Sequence, residues 1–408
     1  MGFVETSVLK ALKIGKVPAN GCLRMAVGRD PEIAEFRRVL DYVAAGGSEV
    51  RFLRGDYGSG KTFVCSLVRE LAVEQRFAVS ILNLNREVPF GRRDLVLAQI
   101  LSGLQAPEGG AGSGLDDIVQ AWFNQFDVTT PYEDNAELRE AIKNIGAVDP
   151  GLAMALRGYH RALLEDNYVL MEGALAWVRG EAITQEVRSG LKLVGKVTPD
   201  QAFKRLRGVL TLLRQAAYHG LVVLLDESES MMRLASPQRL AAYNTIREII
   251  DTCEVEFPGC LFIFAGTQKW FEDEFNGVAQ YRALYERIRN TQKDSVRDLR
   301  QPIIRLEELD EDALVALATR VREIHSAAYG WNAVAGFSNH EMRDYISRVS
   351  TRFGNVRQKP RGFLKGLVDV LDARQQGLSE PDVATLEAAF DAVEKGDANL
   401  DDVVLAGA

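Results

Sequence analysis

Arg51-Phe-Leu-Arg-Gly-Asp-Tyr-Gly-Ser-Gly-Lys-Thr-Phe63 is the segment around which the rest of the chain is organised. It has the spacing of a phosphate-binding loop, because four residues separate Gly55 from the run Gly60-Lys61-Thr62. A short apolar, strand-like run precedes the loop, and a helix-like pattern from Thr62 to Glu74 follows it. Since strand, loop and helix in this order are the context that the motif requires, we expect a polyphosphate ligand here.

The residue types in this loop each have a role in phosphate binding. A polyphosphate is bound by a ring of backbone N–H groups, so the chain must curl tightly, and glycines permit backbone angles that a Cβ would forbid. Lys61 would reach the β- and γ-phosphates, and the Thr62 hydroxyl would coordinate Mg²⁺. A glycine-rich turn without a ligand is the alternative, but it gives Lys61 and Thr62 no role. The candidate nucleotide-binding residues of the loop are Gly55, Asp56, Tyr57, Gly58, Ser59, Gly60, Lys61 and Thr62.

A second motif is Leu221-Val-Val-Leu-Leu-Asp-Glu-Ser-Glu229. Five apolar residues ending in Asp-Glu predict a buried strand that carries two carboxylates at its C-terminal end, where α/β sheets bind ligands. This is a Walker B pattern, in which Asp226 would hold Mg²⁺, mostly through water, and Glu227 would orient or deprotonate the attacking water. The pattern is weak alone, but here it follows a phosphate loop at a plausible distance.

The order of the remaining apolar runs predicts an α/β fold, with a parallel sheet lying between helices of a P-loop core. The other strands expected after the loop are Phe77–Leu84, Cys260–Gln268 and Pro302–Leu306. From Leu115 to Val197 the sequence has helical patterns and no convincing strand, which predicts a helical insertion larger than a connecting loop. Trp122, Phe123 and Phe126 have helical spacing there, and we expect them to form its small core; a base-stacking platform is the alternative.

Composition excludes several classes of protein. A chain of 408 residues with 47% hydrophobic and 26% charged residues is typical of a globular protein of two or three domains. The net charge of −8 gives no global basic field that would attract nucleic acid or an anionic membrane. No segment approaches the roughly 20 apolar residues of a membrane-spanning helix, and Met1 to Lys16 lacks a signal-peptide core, so we expect a cytoplasmic protein without a membrane partner. The four cysteines lack metal-site spacing and are expected to be free, buried thiols.

Polar residues next to predicted helices and strands are further candidates. Thr267 or Gln268 ends a strand where many ATPases with a phosphate loop place a polar sensor of the γ-phosphate and attacking water, or simply caps the strand. Gly28 and Arg29 precede a helix that starts at Asp30-Pro31 and are candidates for the adenine edge of the site. A helix N-terminus with a solvated arginine is an equally good interpretation of this pair.

Three arginines are candidates for contacts to phosphate from outside the loop. Arg287 and Arg289 lie in a predicted helix from Tyr281 to Asn290, and if the protein oligomerises one of them would reach a neighbour's nucleotide; a solvated helix face is the alternative. Arg361 follows Pro360 at the start of a late helix and is a candidate lid sensor for the γ-phosphate. The other interpretations of Arg361 are a basic DNA-contacting face, formed with Arg352, Arg357, Lys359 and Lys365, and a solvated helix end.

Taken together, these motifs resemble the ATP-binding proteins associated with bacterial BREX phage-defence systems, a branch of the AAA+ and STAND ATPases. The resemblance covers about Ala19 to Ala373. It rests on Val27-Gly28-Arg29, the loop sequence Gly-Asp-Tyr-Gly-Ser-Gly-Lys-Thr, the helical insertion, Gly220 to Glu229 and Lys359-Pro-Arg361. It implies an AAA+-like core with a C-terminal helical lid, ATP and Mg²⁺ as ligands, ATP hydrolysis, and work on or beside DNA. It places Lys61, Thr62, Asp226, Glu227, Thr267 and Arg361 on functional positions.

The resemblance also implies an organisation and partners. We expect residues 1–105 and 201–308 to form the two parts of the ATPase core, residues 106–200 the insertion, and residues 309–408 a helical lid and a tail with one further helix-like run, Pro381 to Glu394. The sequence shows no clear winged-helix pattern after the predicted lid, which argues against direct sequence-specific DNA binding. We expect any DNA contact to be direct or through a partner, such as a helicase or another defence protein. An arginine finger, Arg287 or Arg289, and the lid arginine Arg361 would lie outside the loop's own domain or subunit. We therefore expect a homo-oligomer. A STAND-type switch with slow hydrolysis is the alternative function, and a small-molecule kinase would need an acceptor pocket that the sequence does not identify.

Overall fold

A single sheet organises much of the protein. The computed structural model describes residues 2–84, 89–108, 114–290, 297–353 and 360–379. Among these residues, six strands form the sheet in the order β3-β2-β4-β5-β1-β6. The strands are β1 Glu49–Arg54, β2 Phe77–Asn83, β3 Leu104–Gln105, β4 Gly220–Asp226, β5 Cys260–Gly266 and β6 Ile303–Arg305.

The central strands are parallel. β4 pairs in parallel with β2 and with β5, and β5 pairs in parallel with β1. Every residue of β4 and β5 is buried, which explains their nearly unbroken apolar runs. The predicted α/β class is therefore confirmed.

The register aligns the C-terminal ends of these strands. Arg54 of β1 lies opposite Gly266 of β5, and Leu225 of β4 lies opposite Phe264. The ends of β1, β4 and β5 therefore share one edge of the sheet. In chain order, the phosphate loop follows the first of these ends, Glu227 the second and Thr267 the third.

One strand was not predicted. β3 pairs antiparallel with β2 through only two residues, Leu104 and Gln105. Two residues are too few for a periodic pattern, so β3 is recognisable only by its pairing with β2.

The helices follow in the order of the chain. The helices in the chain up to β3 are α1 Phe3–Lys13, α2 Cys22–Met25, α3 Asp30–Ala44, α4 Lys61–Glu74 and α5 Arg93–Ser102. The predicted insertion is helical, and α11 leads from it to β4: α6 Gly114–Phe123, α7 Ala136–Val148, α8 Pro150–Leu164, α9 Tyr168–Arg179, α10 Gln185–Leu191 and α11 Pro199–Gln215. The remainder are α12 Ser236–Glu256, α13 Gln268–Glu272, α14 Arg282–Ile288, α15 Glu311–Tyr329, α16 Ala333–Gly336, α17 Asn339–Phe353 and α18 Pro360–Gln376.

The chain divides into two compact units. The first, called here the sheet unit, comprises the described parts of residues 35–54 and 71–304. The second, called the loop-and-lid unit, comprises the described parts of residues 1–34, 55–70 and 305–408. The predicted helix from Pro381 to Glu394 lies outside the described residues. The four-part domain division stays a prediction.

In the sheet unit, the insertion and the sheet share one hydrophobic core. Trp122 of α6 is fully buried, contacts the rings of Phe123 and Phe126, and donates a hydrogen bond from Nε1 to Oε1 of Gln215, 3.0 Å away in α11. Apolar residues of α7, α8 and α9 belong to the same buried cluster as Val223 of β4. The aromatic residues at 122, 123 and 126 thus pack in a core, as expected, but that core includes the sheet.

A buried ion pair connects helices of the insertion to α11. Arg205 of α11 pairs with Asp149, and its guanidinium lies 4.3 Å from the ring centre of Trp177. Asp149 also caps α8, accepting hydrogen bonds from the backbone N–H groups of Gly151 and Leu152. Both charged side chains are buried, so removal of either one would leave an uncompensated charge inside the unit.

The loop-and-lid unit has its own core. Val8, Leu9 and Leu12 of α1 pack with buried residues of α15, α17 and α18, including Leu314 and Phe363. The N-terminal helix therefore stabilises the helices predicted to form the lid.

A buried histidine adds a polar network to this unit. Nε1 of Trp331 donates to Nδ1 of His325, 2.9 Å away, so Nε2 carries the proton that it shares with Asp372 at 3.0 Å. Asp372 also pairs with Lys13 of α1. His325 is fully buried and its hydrogen bonds are satisfied, which gives it a structural role.

Candidate functional site

The glycines of the phosphate loop lie where a Cβ is disfavoured. At Gly55 a Cβ would lie 2.2 Å from Oγ of Ser59, which is far inside any permitted contact. Gly58 and Gly60 have φ of +82° and +92°, in the region that residues with a Cβ rarely adopt. α4 begins at Lys61, so the loop leads directly into a helix N-terminus, whose backbone N–H groups and dipole favour an anion.

Lys61 lies folded over the loop. It is 8% exposed, and its Nζ donates hydrogen bonds to the carbonyl oxygens of Gly55 at 2.9 Å and Asp56 at 3.1 Å. The ring of Tyr57, which is mostly exposed, has its centre 5.3 Å from the same ammonium. The Lys61 ammonium is thus held against the first residues of the loop, Gly55 and Asp56.

Arg29 contacts the loop from the N-terminal side. Its Nη2 donates to the carbonyl oxygens of Ser59 at 3.1 Å and Glu307 at 2.8 Å, and its Nη1 donates to Oε1 of Glu32 at 3.2 Å. Arg29 is 5% exposed, so the interpretation of a solvated arginine is wrong. Gly28 precedes it with φ of +65°.

Arg361 reaches the other end of the loop. It lies in the first turn of α18, and its Nη2 donates to Oγ1 of Thr62, 3.5 Å away. The structure therefore brings the candidate lid arginine to the hydroxyl that the sequence predicts as a Mg²⁺ ligand. Of the other residues proposed for a basic face, Arg357 and Lys359 lie outside the described residues, as does the side chain of Arg352.

In the sheet unit, Asp226 is the last residue of β4 and Glu227 follows it directly. Asp226 is 6% exposed, and its Oδ1 accepts a hydrogen bond from the backbone N–H of Glu227 at 2.9 Å. Glu227 is exposed and has φ of +55°, a conformation that costs a residue with a Cβ about 1–2 kcal/mol. The next residue, Ser228, is buried and donates from Oγ to the carbonyl oxygen of Leu225 at 3.2 Å. The chain thus turns sharply, holding one carboxylate in place and exposing the other.

Thr267 follows β5 directly and is 5% exposed, at the position before α13. The neighbouring Gln268 donates its side-chain amide to Oε2 of Glu272 at 2.9 Å. Because the Gln268 amide bonds within its own helix, Thr267 is the better of the two sensor candidates.

The two finger candidates differ in their contacts. Arg287 of α14 pairs with Asp251 of α12 and donates to the carbonyl oxygen of Ala283. Arg289 lies just after α14, which ends at Ile288 and not at Asn290 as predicted. Its side chain is 54% exposed and contacts Glu286 at 2.8 Å. Arg289 is therefore the more accessible of the pair.

The donor types fit a nucleotide with Mg²⁺. The loop has glycines where a Cβ is disfavoured. The Thr62 hydroxyl in the loop-and-lid unit and the Asp226 carboxylate in the sheet unit are each an oxygen donor of the kind that Mg²⁺ prefers. Among the residues that the structure describes, no group of three or more His, Cys, Asp or Glu side chains could hold a metal by itself. Few protein ligands are typical of Mg²⁺ sites in which substrate phosphates supply the remainder.

The structure adds two contacts that sequence reasoning did not predict. One is the carbonyl oxygen of Glu307, which shares Nη2 of Arg29 with the loop. The other is the buried carboxylate of Glu32. Glu32 lies three residues after Arg29, and this spacing on a helix could have indicated their contact. The contact with the Glu307 carbonyl oxygen leaves no such signal in the sequence.

Comparisons with known proteins complete the description. The sequence model of the family described as "BREX system ATP-binding protein BrxC/D" matches residues 4–386. Among solved structures, the chain is similar to the Walker-type ATPase PABY2304 of Pyrococcus abyssi, with 10% identity and a TM-score of 0.35 over 91% of this chain and 89% of that one. The comparison with curated proteins found no match. Over the described residues, no helix combines the length and apolar character needed to cross a membrane.

Proposed function

The chain belongs to the family of BREX system ATP-binding proteins BrxC/D and is thus an ATP-binding protein of phage defence, and from this premise we propose that it also hydrolyses ATP with Mg²⁺. In this proposal the nucleotide state controls assembly with DNA or with a DNA-processing partner. The observation that carries it is the phosphate loop, where three glycines, the folded Lys61 and Thr62 at the start of α4 have the backbone and charge that a triphosphate requires.

Each candidate residue has a distinct role. Lys61 would exchange its bonds to loop carbonyls for oxygens of the β- and γ-phosphates, which are stronger acceptors because they are charged. Thr62 and Asp226 would hold Mg²⁺, which supplies positive charge that stabilises the phosphate oxygens. Glu227 would orient the attacking water, and its exposure leaves the carboxylate accessible to solvent. Thr267 would bind the same water or the γ-phosphate.

Partners follow from the same proposal. Arg289 or Arg287 would act on the nucleotide of a second copy of the chain, which makes the active form a homo-oligomer. A helicase or another BREX protein would be the main protein partner in the cytoplasm, with DNA contacted directly or through that partner. Gly28 and Arg29 would lie near the nucleotide.

A slow STAND-type switch is the second candidate function. The contacts of Arg29 and Arg361 with the loop favour it, because both join the phosphate loop to the lid helices or their linker within one compact unit. A switch of this kind would bind ATP and hydrolyse it over minutes or longer, and its output would be the position of the lid.

The test compares binding and turnover. Wild-type protein should release phosphate from ATP in a Mg²⁺-dependent, multi-turnover reaction that DNA stimulates. Glu227→Gln should bind ATP normally and lose turnover by about a hundredfold or more. Lys61→Ala should lose binding itself. The matched controls are Glu274→Gln and Lys10→Ala, both of which change exposed residues.

Three outcomes would count against parts of the proposal. Unchanged turnover in Glu227→Gln would show that the catalytic carboxylate is misassigned. Wild-type affinity in Lys61→Ala would contradict the loop assignment. Tight ATP binding with a single slow turnover, unaffected by DNA, would favour the switch.

A further inference from the structure

We infer that Arg29 is a positioning residue that orients the peptide between Ser59 and Gly60, so that the Gly60 N–H faces the bound phosphate. The inference rests on the proposed nucleotide site and assigns Arg29 to the phosphates instead of the adenine. Three observations carry it: the burial of the guanidinium, its hydrogen bond to the Ser59 carbonyl oxygen, and the conformation of Gly60.

The first step is the geometry of a trans peptide, whose carbonyl oxygen and amide hydrogen point in opposite directions from one rigid plane. Nη2 of Arg29 holds the Ser59 oxygen at 3.1 Å from outside the loop. The N–H of Gly60 belongs to the same plane, so it is directed away from Arg29. Fixing the oxygen on one side therefore fixes a donor on the other.

The second step is that the adjoining peptide is fixed differently. The N–H of Ser59 donates to the carbonyl oxygen of Asp56 at 3.1 Å, a bond within the loop itself. The Ser59–Gly60 peptide is held by a side chain from outside the loop. The φ of +92° at Gly60, which sets the orientation of this peptide plane, is one that Cβ-bearing residues avoid. Nη2 of Arg29 also lies 3.7 Å from the place where a Cβ on Gly60 would stand.

The third step is the choice of arginine. One planar guanidinium serves three acceptors: the oxygens of Ser59 and Glu307 through Nη2, and Oε1 of Glu32 through Nη1. A lysine ammonium is a point charge on a flexible stem and cannot reproduce this fork. Glu32 is only 1% exposed and pairs with the guanidinium, which balances the buried charge.

The bond to Glu307 gives the arrangement a second consequence. Glu307 lies in the linker between β6 and α15, so the atom that fixes the loop peptide also holds the start of the chain leading to the lid helices. The Ser59 carbonyl oxygen in the loop and the Glu307 carbonyl oxygen in this linker are thus held by the same nitrogen, Nη2 of Arg29.

The test uses the full chain and two competitors of a fluorescent ATP analogue: unlabelled ATP, and inorganic tripolyphosphate, which has no base. We expect Arg29→Lys to weaken both competitors by the same factor, about tenfold or more, since a hydrogen bond network with a charged donor is lost from the phosphate site. The preference for ATP over GTP, measured with GTP as a further competitor, should be unchanged. Arg24→Lys, at an exposed arginine of the same unit, is the matched control and should bind both as wild type does.

Specific results would overturn the inference. If Arg29→Lys lowers ATP affinity and leaves tripolyphosphate affinity intact, or changes the ATP to GTP preference, Arg29 contacts the base. If neither affinity changes, Arg29 has no role in phosphate binding. If wild-type protein itself binds neither competitor, the proposed nucleotide site fails, which is a separate result.

Loss of folding is covered by a second variant. Arg29→Gln combined with Glu32→Gln removes both charges of this buried pair together, so neither one is left without the other. It should show the same equal loss for ATP and tripolyphosphate, with thermal unfolding confirming a folded protein. Normal tripolyphosphate binding by this variant would also overturn the inference.

Discussion

Nη2 of Arg361 donates a hydrogen bond to Oγ1 of Thr62 at 3.5 Å, which joins the first turn of α18 to the last residue of the phosphate loop. Thr62 is also the proposed Mg²⁺ ligand. Two unit positive charges about 4 Å apart repel by about 4 kcal/mol at an effective dielectric constant of 20, and a divalent ion doubles this, so Mg²⁺ bound at this oxygen would disfavour the guanidinium there. Loading with Mg²⁺ should therefore displace Arg361 from Thr62, towards the γ-phosphate.

The first prediction concerns this arginine. Arg361→Ala should lower ATP turnover by about tenfold or more, because a charged donor to the transferring phosphoryl group is lost. It should also lower the Mg²⁺ concentration needed for half-maximal binding of a fluorescent ATP analogue, since a competing cation is removed. Phosphate release and a Mg²⁺ titration measure the two effects. Arg343→Ala, an exposed arginine of α17, should change neither. An unchanged Mg²⁺ titration in Arg361→Ala would refute the competition.

The second prediction separates backbone strain from ligand binding. Gly60 and Gly330 have positive φ, +92° and +66°, and lie in the same unit. Alanine at either position should cost about 1–2 kcal/mol of stability, because a Cβ is disfavoured there. Only Gly60→Ala should also abolish ATP binding, measured by isothermal titration. Loss of binding in Gly330→Ala would mean that the site responds to stability alone.

The third prediction tests whether the site is completed by a second copy. Arg289→Ala should reduce turnover while keeping its own Walker motifs intact. Mixing it with Glu227→Gln, which keeps Arg289 but lacks the catalytic carboxylate, should restore activity above the sum of the two separate proteins. The same mixture made with Arg282→Ala, an exposed arginine of α14, is the control. Strictly additive activity would argue against an arginine supplied by a neighbour.

The fourth prediction concerns the pH dependence of lid stability. Hydrogen bonds from the backbone and hydroxyl of Ser338, and then from Arg374, lower the pKa of Glu341 to about 2 from an ordinary 4.5. A lowered pKa stabilises the folded state above the ordinary value, and this contribution is lost as the pH falls from 4.5 towards 2.

Glu341→Gln should therefore destabilise the protein at pH 7, by about 1 kcal/mol for a helix-capping interaction, or roughly 2–4 °C in Tm. The difference from wild type should shrink as the pH is lowered below 4.5. Thermal scans from pH 7 down to pH 3 measure it, with Glu323→Gln as the exposed control in the same unit. A difference in Tm that is independent of pH would contradict the assignment.

The parts of the structure that could be predicted are those written in local patterns. The apolar runs of β4 and β5 predict buried parallel strands because both faces of such strands are covered. The loop is predictable because its glycines and Lys61 serve one chemical purpose at fixed spacing. The contacts of Arg29 with Ser59 and Glu307 could not be predicted, because any residue type can supply the backbone carbonyl that accepts the hydrogen bond.

The left-handed backbone of Glu227 was equally invisible in the sequence. Positive φ is normally indicated by glycine or asparagine, and here the neighbouring structure imposes it on a glutamate. β3 was not predicted because a strand of two residues is too short to show the alternating pattern of a strand. The missed features therefore depend on tertiary contacts, and most of them lie at the candidate site.

The core shared by the insertion and the sheet restricts how this chain can vary. Since Trp122, Leu138 and Leu156 are buried in one cluster with Val223 of β4, the inward-facing side chains of the insertion and those of its neighbours must change together. The segment cannot be exchanged between relatives as a cassette, nor trimmed away to leave a minimal ATPase, without exposing apolar surface on what remains. Divergence among relatives should therefore concentrate on its outward-facing positions, where a new partner could be acquired without rebuilding the interior.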